Sequence, residues 1–204
     1  SENIDGSKSW MNGSTQKFGE GDVVTQALPV TYTYDASGNP ATAIQTGGVS
    51  VSDDGFGNRT KTTLQQTFTK DTATNQMKMS QSKSISNSIS LDGSSSEQTI
   101  TVDYTYENGV LKSAIGSGTT KSNDGFGNIT RGKIDQEFAI VNGQAKVFKN
   151  VSESWSGDVD EADKTSGRFL DGTQTRQTMT LYYAYDAKGQ MVSEGGVYGV
   201  MRNY

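Results

Sequence analysis

The chain contains no cysteine and no histidine. Without thiols there is no disulfide, no thiolate nucleophile and no Cys-built metal centre. Without imidazole there is no Ser-His relay, no His-ligated zinc or iron and no ordinary general base near neutral pH. Proline occurs only twice, and apolar residues are scarce. Leu, Ile, Val and Phe make up about 18% of the 204 residues, a level that signals disorder when net charge is also high. No run approaches the ~18 consecutive apolar residues of a membrane helix, so no membrane span is expected. With a net charge of -5 and no basic stretch, nucleic acid is not an expected partner either. No pair of carboxylates stands out as a glycosidase dyad, so the chain reads as a non-enzyme with no catalytic residue.

What is present is repetition. Val30-Thr-Tyr-Thr-Tyr-Asp-Ala-Ser-Gly-Asn39 returns in altered form at Val102–Gly109 and Leu181–Gly189. In each copy apolar and polar residues alternate (Val30, Tyr32, Tyr34; Val102, Tyr104, Tyr106; Leu181, Tyr183, Tyr185), the period of a half-buried strand. A Gly-bearing turn follows each time. Asp54-Gly-Phe-Gly-Asn58 and Asp124-Gly-Phe-Gly-Asn128 are near copies, trailed by Leu64 and Phe68 in one case and Ile134 and Phe138 in the other. Ser7-Lys-Ser-Trp10, Ser82-Lys-Ser-Ile85 and Ser152-Glu-Ser-Trp155 form a third series, and further hairpins are expected at Asp71–Asn75 and Asn142-Gly143.

A net charge of -5 is small for this length, and a repeating strand-and-turn pattern is not that of a disordered tail. The expected fold is therefore all-β: successive antiparallel β-hairpins in repeats of about 70–80 residues, forming an elongated sheet, a sandwich or a solenoid-like array. Its core should be thin, with stability drawn from backbone pairing and cross-strand contacts. We read one continuous domain over residues 1–204, with a partial unit 1–29, units 30–99 and 100–178, and a partial unit 179–204. The return strand after the first Tyr strand reads as ending at Gly47-Gly48, with a new segment from Val49. Residues 158–167 read as a single helical turn or a solvated loop.

The run Tyr32-Thr-Tyr-Asp-Ala-Ser-Gly-Asn39 followed by Gly47 resembles the YD repeat of Rhs-type and wall-associated bacterial surface proteins. That pattern is Tyr-x-Tyr-Asp-x-x-Gly, then a short strand and a Gly. Tyr104–Gly118 is similar, with Glu107 in place of Asp and a turn one residue shorter, as is Tyr183–Gly196; the two Asp-Gly-Phe-Gly-Asn loops look like degenerate copies. Family members carry these hairpins at closer spacing and coil them into extracellular shells. The resemblance implies an exported bacterial β-hairpin repeat, extracellular or on the cell surface, and neither a toxin nor an enzyme.

The expected function is that of an exported structural protein: a subunit or segment of a bacterial surface fibre, sheath or adhesin, self-associating through β-strand edges. Val30, Tyr32, Tyr34, Leu181, Tyr183 and Tyr185 are the assembly candidates, their rings otherwise forming the inward face of a sheet. Two alternatives stand beside it. One is an extracellular carbohydrate-binding module using exposed Trp10, Trp155, Tyr182 and Tyr198; the other is a fragment of a larger Rhs-like shell, since the chain begins and ends mid-repeat. No cofactor is expected beyond Ca²⁺, for which Asp54, Asn58, Asp124 and Asn128 could supply oxygen ligands. Asx-Gly turn chemistry accounts for the same four residues without a metal.

Overall fold

The structure is a computed structural model and describes residues 8–11, 17–18, 22–23, 30–192 and 198–203. In chain order the strands are β1 (Lys8–Met11), β2 (Lys17–Phe18), β3 (Asp22–Val23), β4 (Val30–Tyr34), β5 (Pro40–Asp53), β6 (Arg59–Lys70) and β7 (Met77–Ile89). They continue as β8 (Ser95–Glu107), β9 (Val110–Asn123), β10 (Ile129–Val141), β11 (Gln144–Ser156), β12 (Arg176–Tyr182) and β13 (Tyr198–Asn203). The helical content of the described residues is one 3₁₀ turn, Glu161–Asp163, inside the stretch expected to be a turn or loop.

β2 and β3 pair with each other, and the other eleven strands form one antiparallel sheet. From β5 to β13 the order in space is the order in sequence. From β6 to β12 each strand pairs only with its predecessor and its successor, and up to β11 the chain folds back on itself by local turns. The outer edge of β5 is shared by two short strands: β4 takes Pro40–Gln45 and β1 takes Ser50–Asp53. Of the three arrangements open at the sequence level, the elongated sheet is the one that forms.

Local chemistry explains this meander. Asn108-Gly109 and Asn142-Gly143 sit at φ 50° and 76°, and 51° and 72°, the paired positive values of a two-residue type I′ turn whose twist matches the flanking strands. Asp35, Asp54, Asp71, Asp124 and Asp186 each accept hydrogen bonds from backbone N–H groups two to four residues on, closing longer turns. One repeat corresponds to four strands, β4–β7 and then β8–β11, and the correspondence extends to the irregularities. The ladder slips by one residue just before Phe68 and again just before Phe138. β5 departs from the sequence reading by running unbroken from Pro40 to Asp53; the Gly47-Gly48 break is absorbed as a bulge between Gln45 and Gly48.

No second layer covers the sheet among the described residues. The buried apolar side chains are Ala43, Val51, Ala114, Ile134 and Trp155, joined by Ser156. So small a core is the structural counterpart of the low Leu, Ile, Val and Phe content. Stability rests on the ladders and on cross-strand side-chain pairs of roughly 0.2–1 kcal/mol each.

Candidate functional site

The strands expected to mediate assembly are placed differently. β4 lies at an edge: it pairs with β5 on one side, and among the described residues nothing pairs with the other. Val30, Tyr32 and Tyr34 are 41%, 48% and 63% exposed, and the two rings lie 6.5 Å apart on one face. Within the single chain these tyrosines are exposed and are not core. Leu181, in contrast, sits in β12 between β11 and β13. Tyr183 donates its backbone N–H to the Phe148 carbonyl at 2.8 Å, and the Tyr185 hydroxyl donates to the Val147 carbonyl at 2.8 Å. Among the described residues, the free edge at this end therefore belongs to β13.

Of the four aromatics expected to be exposed, Trp155 requires correction: it is 4% exposed. The excursion between β11 and β12 folds back over it. Trp155 Nε1 donates to the Val159 carbonyl at 2.9 Å, and Lys164 Nζ sits 6.0 Å from the ring centroid. Ion pairs fasten this segment down: Asp158 to Lys121 (2.8 Å) and Arg131 (2.5 Å), Glu161 to Lys133 (3.4 Å), and Lys164 to Glu153 (2.8 Å). Burial pushes the Glu153 carboxyl up, but hydrogen bonds from Lys164 and Arg176 outweigh it and leave the group below its ordinary value. Tyr182 is half-buried, with Lys149 opposite on one side and Tyr198 on the other. Trp10 and Tyr198 lie in β1 and β13, and their side chains fall outside the described residues.

At the two Asp-Gly-Phe-Gly-Asn turns the carboxylates are already occupied. Asp124 Oδ1 accepts from the N–H groups of Phe126 (2.8 Å) and Asn128 (3.1 Å), and Oδ2 accepts from Asn128 Nδ2 (2.7 Å). Asp54 makes the same three bonds with Phe56 and Asn58. The Asn side chain, then these backbone groups, hold both carboxyls below their ordinary range. A calcium ion at either loop would compete with those donors, and no group of three or more His, Cys, Asp or Glu side chains that could hold a metal occurs among the described residues.

The Asn carbonyl oxygens reach instead to a neighbouring turn. Asn58 Oδ1 accepts from the Leu91 N–H at 3.1 Å, and Asn128 Oδ1 from the Leu170 N–H at 3.0 Å. These receiving turns, Ser90-Leu-Asp-Gly-Ser94 and Phe169-Leu-Asp-Gly-Thr173, are themselves a repeat, with Leu-Asp-Gly in common. Sequence reasoning passed over the motif, although the shared tripeptide was there to be found.

The sheet's two faces differ sharply. Residues opposite each other in an antiparallel ladder share a face, so register assigns every row. One row reads Ser52, Thr60, Ser88, Ser96, Ser122, Thr130, Ser156. Parallel rows on that face read Ser50, Thr62, Ser86, Gln98, Thr120, Gly132, Ser154, and then Gly48, Leu64, Ser84, Ile100, Gly118, Ile134, Ser152, Met179. Toward the Tyr end the face becomes apolar, with Ala43, Phe68, Tyr104, Ala114 and Phe138. Neighbouring hydroxyls bond to one another, Thr60 with Ser88 at 2.8 Å and Thr62 with Ser86 at 3.1 Å.

The opposite face holds the charges, in rows such as Lys61, Asn87, Glu97, Lys121, Arg131 and Asp103, Ile115, Glu137, Lys149. Within β5–β12, two charged strand residues depart from this rule. Lys70 stands at the mouth of a turn, and Lys112 is the extra residue of a bulge. No family model, curated protein or solved structure matches this chain.

Proposed function

We propose that this chain is an exported structural protein, a subunit or segment of a bacterial surface fibre, sheath or adhesin that assembles through β-strand edges. The observation that supports it is a single-layer sheet whose outer strands, β4 and β13, each have one side without a partner among the described residues. Unpaired N–H and C=O groups on such an edge are satisfied when a strand of another chain adds to it. A head-to-tail contact of that kind gives filaments when its rotation does not close a ring. The resemblance to YD-repeat surface proteins belongs to the same reading.

Light scattering and negative-stain microscopy across concentration test it, with filaments or a ladder of oligomers as the expected result. Replacing Tyr32 and Tyr34 by Lys blunts the β4 edge and should abolish the ladder while leaving the circular dichroism of the monomer intact. Unchanged assembly in that variant, or a monomer in every condition, overturns the proposal.

A second reading, an extracellular carbohydrate-binding module, draws on a different observation. A recess of about 400 Å³ at the turn end is lined by Ser88, Ser96, Ser122, Asn128 and Thr130, with Phe169 as an aromatic wall. Hydroxyls, amides and one ring suit a neutral polyol better than a charged ligand. A glycan screen with Phe169→Ala as the comparison decides it, and binding unaffected by that change would exclude the recess.

A further inference from the structure

We infer that the uncharged face of the sheet is a dimerisation surface, covered by the same face of a second copy of this chain. The inference does not rest on edge pairing; it concerns the flat of the sheet and not its rim. Three observations carry it.

The first is the segregation of charge. Burying an unpaired ionised group is prohibitive, whereas hydroxyls and amides can be buried if they find partners. Between β5 and β12 one face holds essentially all the strand Lys, Arg, Asp and Glu, and the other holds Ser, Thr, Gln, Gly and apolar residues. Solvent exposure on both sides would not require this division. A sheet that packs on one side does require it.

The second is area. Eight strands at about 4.8 Å spacing and five residue rows at about 6.6 Å give a footprint of about 34 by 26 Å, or roughly 900 Å² per copy. A standard protein interface buries about 800 Å² per partner.

The third is self-complementarity. The face grades from hydroxyls at the Asp-Gly-Phe-Gly-Asn end to Leu64, Ile100, Phe68, Tyr104 and Phe138 toward the other. A two-fold axis parallel to the strands sets apolar rows against apolar rows and hydroxyl rows against hydroxyl rows. Two sheets of identical right-handed twist pack in this way, about 10 Å apart and inclined by about 30°. Glycine and alanine at Gly48, Ala114, Gly118 and Gly132 keep the surface low enough for a second sheet to approach.

The test is size-exclusion chromatography with light scattering on the whole chain, with a Thr31→Lys, Thr33→Lys background, which puts the edge lysines on the charged side of β4, used to suppress filaments. The expected species is a dimer. Ser84→Glu with Ser152→Glu places two carboxylates per copy in the middle of the uncharged face and should eliminate the dimer. Thr101→Glu, on the charged face beside Lys83, should leave it in place, and circular dichroism confirms that each variant is folded. Because the chain has no cysteine, a single Ser84→Cys can be labelled with a polarity-sensitive fluorophore. Its emission should shift to the blue when unlabelled wild-type chain is added, and that of labelled Thr101→Cys should not. A monomer in the filament-suppressed background, a dimer that survives both glutamates, or equal shifts from the two labels overturns the inference. Loss of filaments with retention of the dimer would separate this surface from the edge contact.

Discussion

At the residue scale the sheet tolerates little change where backbones run close. Gly132 in β10 illustrates the limit: a Cβ there would lie 2.5 Å from Thr120 Oγ1 and 2.6 Å from the Glu153 carbonyl oxygen. One of these is backbone and cannot rotate away, so Gly132→Ala should cost about 1–3 kcal/mol in urea unfolding. Asn128 is sensitive for a different reason. Its amide donates to Asp124 while its oxygen accepts from Leu170, so one side chain closes its own turn and ties it to the next. Asn128→Ala should cost about 1 kcal/mol, because the freed Leu170 N–H lies on the surface and water can replace the lost acceptor. Asn128→Asp should be worse than Ala, since it brings a second carboxylate against Asp124. The turn role of Asp124 was legible from Asp-Gly-Phe-Gly-Asn alone. The reach of Asn128 to Leu170 was not, because it depends on two turns lying side by side on the same rim.

At the scale of elements, the turns and the covering segment respond differently to pH and mutation. Asp54, Asp92, Asp124 and Asp171 are each lowered first by a side-chain hydrogen bond, Asp35 and Asp71 first by a backbone one. A carboxyl whose folded pKa is depressed contributes stability that is complete above its unfolded value of about 3.9 and is lost as pH falls through the folded value. The melting temperature should therefore hold from neutrality to about pH 5 and drop below about pH 4. A chain whose melting temperature stays level to pH 3 would contradict this account of the turns. The segment over Trp155 depends on Glu153, held between Lys164 and Arg176 at 2.8 and 2.9 Å. Glu153→Gln should cost about 1 kcal/mol for this partly exposed network. In a Trp10→Phe background it should also raise acrylamide quenching of Trp155, as the segment loosens from the ring. The residues of that segment read from sequence as a turn or loop, and its short 3₁₀ turn agrees. That it folds back over a tryptophan depended on Lys121, Arg131 and Lys133, distant in sequence and brought together only by the register of β9 and β10.

At the scale of the whole molecule, the described strands are held chiefly by their neighbours in the sheet. Such a structure approaches a one-dimensional array, in which stability is a sum of nearest-neighbour terms and opening starts at the ends. For the single chain, amide hydrogen exchange should be slowest in β7–β10 and grow faster toward β4 on one side and β12 on the other. Uniform protection across all strands would show instead that a second layer, such as the paired copy inferred above, welds the sheet into one cooperative unit. The dimer-breaking glutamates tell these cases apart, since they should restore the gradient.

The amino-acid sequence determined the all-β class, the hairpins and their turn chemistry, because each follows from contacts within a few residues. Asn-Gly favours positive φ through its own sterics, as at Asn108-Gly109 and Asn142-Gly143, and alternation of Tyr with small residues suits a pleated strand wherever that strand lies. Only the tertiary structure decided that the sheet is a single layer and β4 an edge among the described residues, that Trp155 is covered, that β12 is interior, and that charge keeps to one face. Each of these depends on which strands become neighbours and in what register, and a slip of one residue would have turned every side chain to the other side.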